Sequence, residues 1–170
     1  MRSNSNAPVE QRATYLTLTG LFLSAFTAFT MRERKHGKKL DLRPFDLVLL
    51  GFSTYRLGRM TVYDKVTEPL RQPFTATAPD SSGAGKTTVP KGQGARRAIG
   101  ELFSCPICMG TWIAAGLVYG LDIAPRATRA FLAITSSVGV AEVINAATEV
   151  MCWIGQLARN ETGTLAQHDT

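Results

Sequence analysis

Cysteine and histidine are scarce in this chain, which has three cysteines and two histidines among 170 residues. A small secreted domain held together by disulfides needs more cysteines in matched pairs, so the count excludes that class. The count also limits metal chemistry, because a structural zinc site takes about four ligands. Zinc at Cys105 and Cys108 would therefore need a matching pair from a second chain.

Charge is missing from long parts of the sequence, although the net charge is +6. No charged residue occurs in residues 13–31 or 102–121. At about 1.5 Å per helical residue, each run is close to the ~30 Å thickness of a bilayer core. The sequence therefore predicts an all-α integral membrane bundle with three to four transmembrane helices. We expect a multi-pass membrane protein.

The connections between the apolar runs are polar or basic, which favours contact with anionic lipid. The predicted organisation is a polar N-terminus (1–12), transmembrane helix 1 (13–31), a basic loop (32–44), an arginine-containing membrane helix 2 (45–63), a membrane-proximal turn with a flexible basic loop (64–104), transmembrane helix 3 with two cysteines (105–123), transmembrane helix 4 (130–158) and a disordered tail (159–170). The sequence leaves open whether the chain forms a homo-oligomer.

Residues 45–63 form the ambiguous segment, because Arg56 and Arg59 interrupt an apolar pattern. Each arginine costs about 2.5–3.5 kcal/mol at the bilayer centre, so together they offset the gain from the apolar residues. The segment spans only if neighbours satisfy the arginines, and otherwise it lies tilted or re-entrant in the interface. Glu142 and Glu149 share one polar stripe of the last helix, and carboxylates at membrane depth normally face protein. We predict that the arginines pair with one of these glutamates.

Small residues on two predicted helices indicate where other helices pack. Gly20 and Ser24 belong to a small, hydroxylated face of the first helix, and Gly116 and Gly120 form a Gly-x-x-x-Gly pair in the third. Such positions let two helix backbones approach closely in lipid. We predict helix contacts at these four positions.

Cys105 and Cys108 open the third helix. Pro106 suits the first helical position, which makes Cys105 the predicted N-cap. A sulfur there lies at the positive end of the helix dipole, an arrangement that lowers the pKa of a thiol. Three interpretations stay open, namely sulfur side chains that only pack, the two-chain zinc site, and a redox pair in which Cys105 attacks and Cys108 resolves. Apart from zinc, the sequence indicates no cofactor.

Residues 83–88 imitate a phosphate-binding loop with the sequence Gly-Ala-Gly-Lys-Thr-Thr. The imitation fails because the first glycine of that motif would fall on Asp80, and because no apolar strand leads into it. The surrounding basic loop also lacks the interleaved aromatic residues on which nucleic-acid bases stack. We therefore expect neither nucleotide nor nucleic acid as a partner.

Several short motifs follow one another in a fixed order between residues 46 and 147. They are Thr54-Tyr-Arg-Leu-Gly-Arg59, Asp64-Lys65, Glu68-Pro-Leu-Arg71, Pro73-Phe74, Glu101-Leu102 and Cys105-Pro-x-Cys108-x-Gly110-x-Trp112. In this order they resemble the domain-of-unknown-function family 1360. Its members are small membrane proteins of bacteria and their phages without an established activity. The resemblance therefore implies a multi-pass protein of a bacterial inner membrane and no mechanism.

Three classes of function remain. The first is a non-enzymatic membrane scaffold or interaction protein, which the sequence favours over an enzyme. The second is a membrane thiol–disulfide redox protein that uses Cys105 and Cys108. The third is a phage holin-like protein that permeabilises membranes, for which expression in a bacterium should arrest growth and collapse the membrane potential.

Overall fold

A computed structural model describes residues 7–36, 41–79 and 85–168 of the chain. The helices are α1 (Ala7–His36), α2 (Pro44–Tyr63), α3 (Glu68–Arg71), α4 (Gly94–Ser104), α5 (Pro106–Ile123) and α6 (Pro125–His168). A 3-10 turn (Lys65–Thr67) precedes α3, and strand β1 (Thr75–Pro79) pairs antiparallel with β2 (Lys86–Pro90). The predicted all-α helical class is confirmed, with one small hairpin added.

Prolines mark the starts of three helices, because a fixed helical φ and a missing N–H cost nothing in the first turn. Pro44 begins α2, Pro106 begins α5 and Pro125 begins α6. The predicted N-cap is confirmed, since Cys105 has an extended backbone and its sulfur accepts the N–H of Cys108. Pro69 and Pro73 break the chain after α2 into short turns, as their spacing predicts.

In residues 64–104 the structure has the short turns expected near the membrane, but it corrects the prediction of a flexible loop after them. Residues 75–79 and 86–90 form the hairpin, and Gly94–Ser104 forms α4, while residues 80–84 lie outside the described part. Threonine and valine favour strands, but the pairing itself is a tertiary choice that the local sequence does not encode.

The chain ends are also more helical than predicted. Helix α1 begins at Ala7, inside the segment predicted as a polar N-terminus. Helix α6 continues to His168, through most of the segment predicted as a disordered tail. No proline interrupts residues 159–168, and a helix that is already nucleated extends at the gain of one hydrogen bond per residue.

The four long helices α1, α2, α5 and α6 alternate in direction. Aromatic pairs align α1 parallel to α5, with ring centroids 5.2 Å apart for Phe22 and Trp112 and 4.3 Å apart for Phe29 and Tyr119. Helix α2 runs antiparallel to α5, because Gly58 lies against the start of α5 at Pro106. Helices α2 and α6 are parallel, since Asp46 pairs with Arg129 and Arg59 pairs with Glu142. The result is an up-down-up-down bundle with α4 and the hairpin at one end.

Two glycines that the sequence analysis did not predict as packing positions allow close backbone contacts between the long helices. A Cβ on Gly139 of α6 would lie 2.6 Å from the carbonyl oxygen of Phe52, and one on Gly58 of α2 would lie 2.8 Å from that of Pro106. Both neighbours are backbone atoms, which cannot move aside as a flexible side chain can. These glycines therefore fix the contacts of α2 with α6 and α5, around a core of Leu50, Leu117, Leu121 and Leu132.

The predicted packing positions differ in their contacts within one chain. Among the described residues, nothing beyond the local helix backbone lies within 4 Å of a Cβ built on Gly20 or Gly116, and Ser24 is exposed. Only Gly120 packs closely, with its Cβ position 2.9 Å from the hydroxyl of Thr128. The rotation of each helix about its axis decides which small residues meet a neighbour, and local sequence does not set that rotation.

Three helical segments of the described chain are long and apolar enough to cross a membrane. They are Pro8–Lys35, Pro106–Ile123 and Pro125–Arg159. Helix α2 is not among them, because it contains Asp46, Arg56 and Arg59. Its environment depends on how those charges are paired.

Candidate functional site

Two ion pairs join α2 to α6 along a line that we name the charged seam, formed by Asp46, Arg59, Arg129 and Glu142. The Arg129 guanidinium donates two hydrogen bonds to the Asp46 carboxylate, from Nη2 to Oδ2 at 3.1 Å and from Nε to Oδ1 at 3.3 Å. Nε of Arg59 donates to Oε1 of Glu142 at 2.8 Å. Both pairs have a sequence separation of 83, so the two helices are parallel and in register. The two pairs are about 20 Å apart along the axis at 1.5 Å per residue.

A hydroxyl pair lies between the two ion pairs. Ser53 is fully buried, and its Oγ donates to the carbonyl of Leu132 at 3.2 Å. The hydroxyl of Thr135 lies 2.8 Å from the same Ser53 oxygen. The contact between α2 and α6 is therefore polar at both ends and at its middle.

A second arginine reaches the Glu142 end of the charged seam. Nη2 of Arg56 lies 2.6 Å from Oδ2 of Asp64, and its Nε lies 4.0 Å from Oε2 of Glu142. Glu142 therefore lies between Arg56 and Arg59. The four side chains together carry no net charge, which lowers the cost of holding them in an apolar environment.

The structure brings together three of the four predicted ion-pair residues. Arg56 and Arg59 approach Glu142, whereas Glu149 accepts a hydrogen bond from Asn145 on its own helix at 3.0 Å. Glu149 is about 10 Å further along α6, past the end of α2. Sequence reasoning missed the pair of Asp46 with Arg129. The sequence does contain a signal for it. Asp46 precedes Arg59 by 13 residues in α2, and Arg129 precedes Glu142 by 13 residues in α6, so that each acidic residue can meet a basic one.

The arginines lie near one end of the apolar helices. Gly58 of α2 contacts Pro106, the first residue of α5, so the neighbouring Arg59 lies level with the start of that helix. The cost of an arginine falls steeply from the centre of a bilayer toward its edge. This position therefore removes part of the penalty that makes residues 45–63 ambiguous in sequence.

The last carbonyl groups of α2 all accept side-chain donors from the following turn and hairpin. Thr67 donates to Met60 at 2.5 Å, and Thr88 of β2 donates to Val62 at 2.9 Å. The last four carbonyls of a helix have no partner within it, and they are costly to bury without one. The turn and hairpin thus act as a cap on α2.

Arg71 supplies the remaining donors of this cap and is buried. Nη1 donates to the carbonyl of Asp64 at 2.6 Å, to Oγ1 of Thr67 at 2.9 Å and to the carbonyl of Thr61 at 3.4 Å. Nη2 reaches the carbonyl of Tyr63 at 3.5 Å. Sequence reasoning gave Arg71 no role, although its place between two prolines marked a fixed position.

The cysteine pair opens onto a groove of about 490 Å³ between α1, α4 and α5, which we name the cysteine groove. Its lining residues are Tyr15, Leu18, Thr19, Phe22, Glu101, Leu102, Cys105, Cys108, Thr111 and Trp112. The two sulfurs lie within bonding distance of each other, with Cα atoms 5.3 Å apart. Amide N–H of Cys108 donates to the Cys105 sulfur at 3.2 Å. Cys152 is a separate, exposed free thiol.

Among the described residues, Glu101 is the one charged residue that lines the cysteine groove. It accepts hydrogen bonds at 3.1 Å from Gln11 of α1 and from Arg97 of α4. These contacts hold the start of α1 against α4. In the described ranges, no group of three His, Cys, Asp or Glu residues could hold a metal ion, so a zinc site at the cysteines has no third ligand there.

Comparison with known proteins identifies the family. The chain is 33% identical over 111 residues to sporulation protein YjcA of Bacillus subtilis strain 168, an alignment that covers 64% of this chain and 92% of that protein. No solved structure matches the chain. Residues 49–148, which run from α2 through the hairpin, α4 and α5 into α6, match the family described as "Protein of unknown function (DUF1360)". The chain therefore belongs to the DUF1360 family, as the order of its motifs predicts.

Proposed function

We propose that this chain is a multi-pass protein of a bacterial inner membrane that acts as a non-enzymatic scaffold or interaction protein. The three long apolar helices support the membrane location. The charged side chains of the seam and of the α2 cap are each engaged in holding helices together. They stabilise a bundle and leave its surface free for contacts.

The observation that carries this proposal is the length of α6. With the register of the charged seam, the last residue of α2, Tyr63, lies level with Ala146. Beyond that level α6 continues as what we name the α6 extension, residues 146–159. Its Val150, Trp153 and Leu157 are exposed, Trp153 by 67%. Spacings of three and four residues place them on one face, the pattern by which one helix packs against another.

A photo-reactive amino acid in the α6 extension tests this proposal. Placed at Trp153 or Leu157 and activated in intact bacteria, it should give a discrete crosslinked protein band. Thr148 is the matched control, because it is exposed on the opposite face of the same helix. Coexpression of two differently tagged copies determines whether the crosslinked protein is a second copy. Crosslinks to lipid alone at all three positions would contradict the proposal.

The geometry of the cysteine groove favours thiol–disulfide exchange as a second candidate function. The thiolate of reduced Cys105 would attack a substrate disulfide, forming a mixed disulfide and releasing one substrate thiolate. The thiolate of Cys108 would then attack the Cys105 sulfur, releasing the second substrate thiolate and leaving the Cys105–Cys108 disulfide. The substrate gains two electrons and the cysteine pair loses two.

We expect Cys108→Ser to accumulate mixed disulfides, because the resolving thiol is then missing. Cys105→Ser should trap few, since it removes the attacking thiol. Cys152→Ser should behave as the unmodified chain does, because Cys152 lies outside the groove. Acid-quenched membranes separated on non-reducing gels provide the measurement. Equal, low levels of mixed disulfide in all three variants would remove the redox function.

A further inference from the structure

A second groove, of about 810 Å³, lies between α1, α2 and α5, and we name it the apolar groove. Phe22 and Phe26 of α1 form one wall, and Ala114 and Val118 of α5 form another. Gly51 of α2 faces open space, because no described residue beyond its local helix backbone lies within 4 Å of its Cβ position. Sites of about 300–1,000 Å³ hold small-molecule ligands, so the apolar groove is large enough for one.

Of the residues that the structure describes, one charged residue lines the apolar groove, and it is Arg59. Its side chain is 43% exposed and lies over the rings of Tyr55 and Tyr63, 5.7 and 5.4 Å from their centroids. In the described part of the chain, its hydrogen bond and ion pair with Glu142 both use Nε. The two terminal nitrogens therefore remain as donors for an anion at the groove.

The position of Arg59 defines the kind of ligand. Arg59 lies level with Pro106 at the start of α5, whereas Tyr119 marks the opposite end of the groove, 13 residues or about 20 Å further along α5. A ligand that fits has an anionic group at one end and a long apolar chain. In a bilayer, phosphate groups lie at the edge of the hydrocarbon core and acyl chains lie within it.

We infer that the apolar groove binds an anionic phospholipid, with its phosphate at Arg59 and one acyl chain along Phe22, Phe26, Ala114 and Val118. The inference rests on the proposed membrane location. It differs from general attraction of anionic lipid to the basic loops, because it assigns one site and one arginine.

Native mass spectrometry of the full chain in detergent, titrated with an equal mixture of phosphatidylglycerol and phosphatidylcholine, tests the inference. The unmodified chain should retain one phosphatidylglycerol molecule preferentially. Gly51→Leu should weaken that retention at least about tenfold, because the leucine side chain enters the groove and loss of a well-packed contact of about 1.4 kcal/mol is tenfold in affinity. Arg59→Gln should remove the preference for phosphatidylglycerol.

Gly155→Leu is the matched control, because this helical glycine of α6 also has no atom within 4 Å of its Cβ position and does not line the groove. It should retain the lipid as the unmodified chain does. Thermal unfolding of each variant shows whether it is folded. Equal retention of both lipids by the unmodified chain, or full retention by folded Gly51→Leu, would overturn the inference. A chain that stays soluble without detergent would instead refute the proposed membrane location.

Discussion

Replacing Arg129 with leucine is expected to lower the free energy of unfolding, because breaking an ion pair leaves the remaining charge without its counter-ion. Asp46 is only 3% exposed, so its carboxylate would stay buried without its cation. The Arg129 side chain is 38% exposed, so water compensates part of the loss. Thermal unfolding in detergent, followed by circular dichroism, measures the loss.

Two variants test whether the loss comes from the pair itself. Arg126→Leu removes an exposed arginine one turn earlier in α6 and should have little effect. The exchange of Asp46→Arg together with Arg129→Asp should recover much of the stability, because the same two charges meet in the reverse order. If Arg126→Leu and Arg129→Leu lower stability equally, the charged seam does not hold α2 to α6.

Replacing Arg71 with methionine should cost about 3 kcal/mol, because it leaves several carbonyls at the end of α2 without a donor, and each buried polar group left unpaired costs about 1–3 kcal/mol. Methionine keeps most of the apolar stem, so the loss reports the guanidinium. The stability of Arg71→Lys should lie between that of the unmodified chain and that of Arg71→Met, since one ammonium cannot reach the carbonyls of both Thr61 and Tyr63. The same unfolding experiment provides the measurement.

Arg97→Met serves as the control for Arg71→Met. Arg97 is half exposed and makes an (i,i+4) pair with Glu101, a contact that is worth only about 0.3–0.5 kcal/mol. A loss at position 71 no greater than that at position 97 would contradict the role of Arg71 as the cap of α2.

The long helices could be predicted from sequence, because apolar runs of bilayer-spanning length and prolines at helix N-termini are local signals. The hairpin and α4 could not, since the pairing of Thr75 with Pro90 is a tertiary contact, and the hairpin packs against α4 where Gly100 lies close to Phe74 and Pro90. The same reason explains the packing glycines. Gly139 and Gly116 look alike in sequence, and only the register of α2 against α6 brings one of them to a backbone neighbour.

The candidate site was predicted in part for a related reason. Arg59 and Glu142 stand out because single charges are conspicuous in apolar runs. Asp46 lies in the first turn of α2, where acidic residues are common, and Arg129 lies close to the start of α6 near another arginine, so neither is conspicuous in the sequence. The groove volumes depend on the spacing of three helices, which no local pattern in the sequence encodes.

Cysteine accessibility in intact cells tests most directly the central claim, which is that α2 crosses the membrane with the charged seam buried against α6. In a variant with Cys105, Cys108 and Cys152 changed to serine, single cysteines are placed at the exposed positions Asp41, Gln93 and Ala124. A membrane-impermeant maleimide should label Asp41 and Ala124 from one side of the membrane and Gln93 from the other. Labelling of Asp41 and Gln93 from the same side would contradict the account.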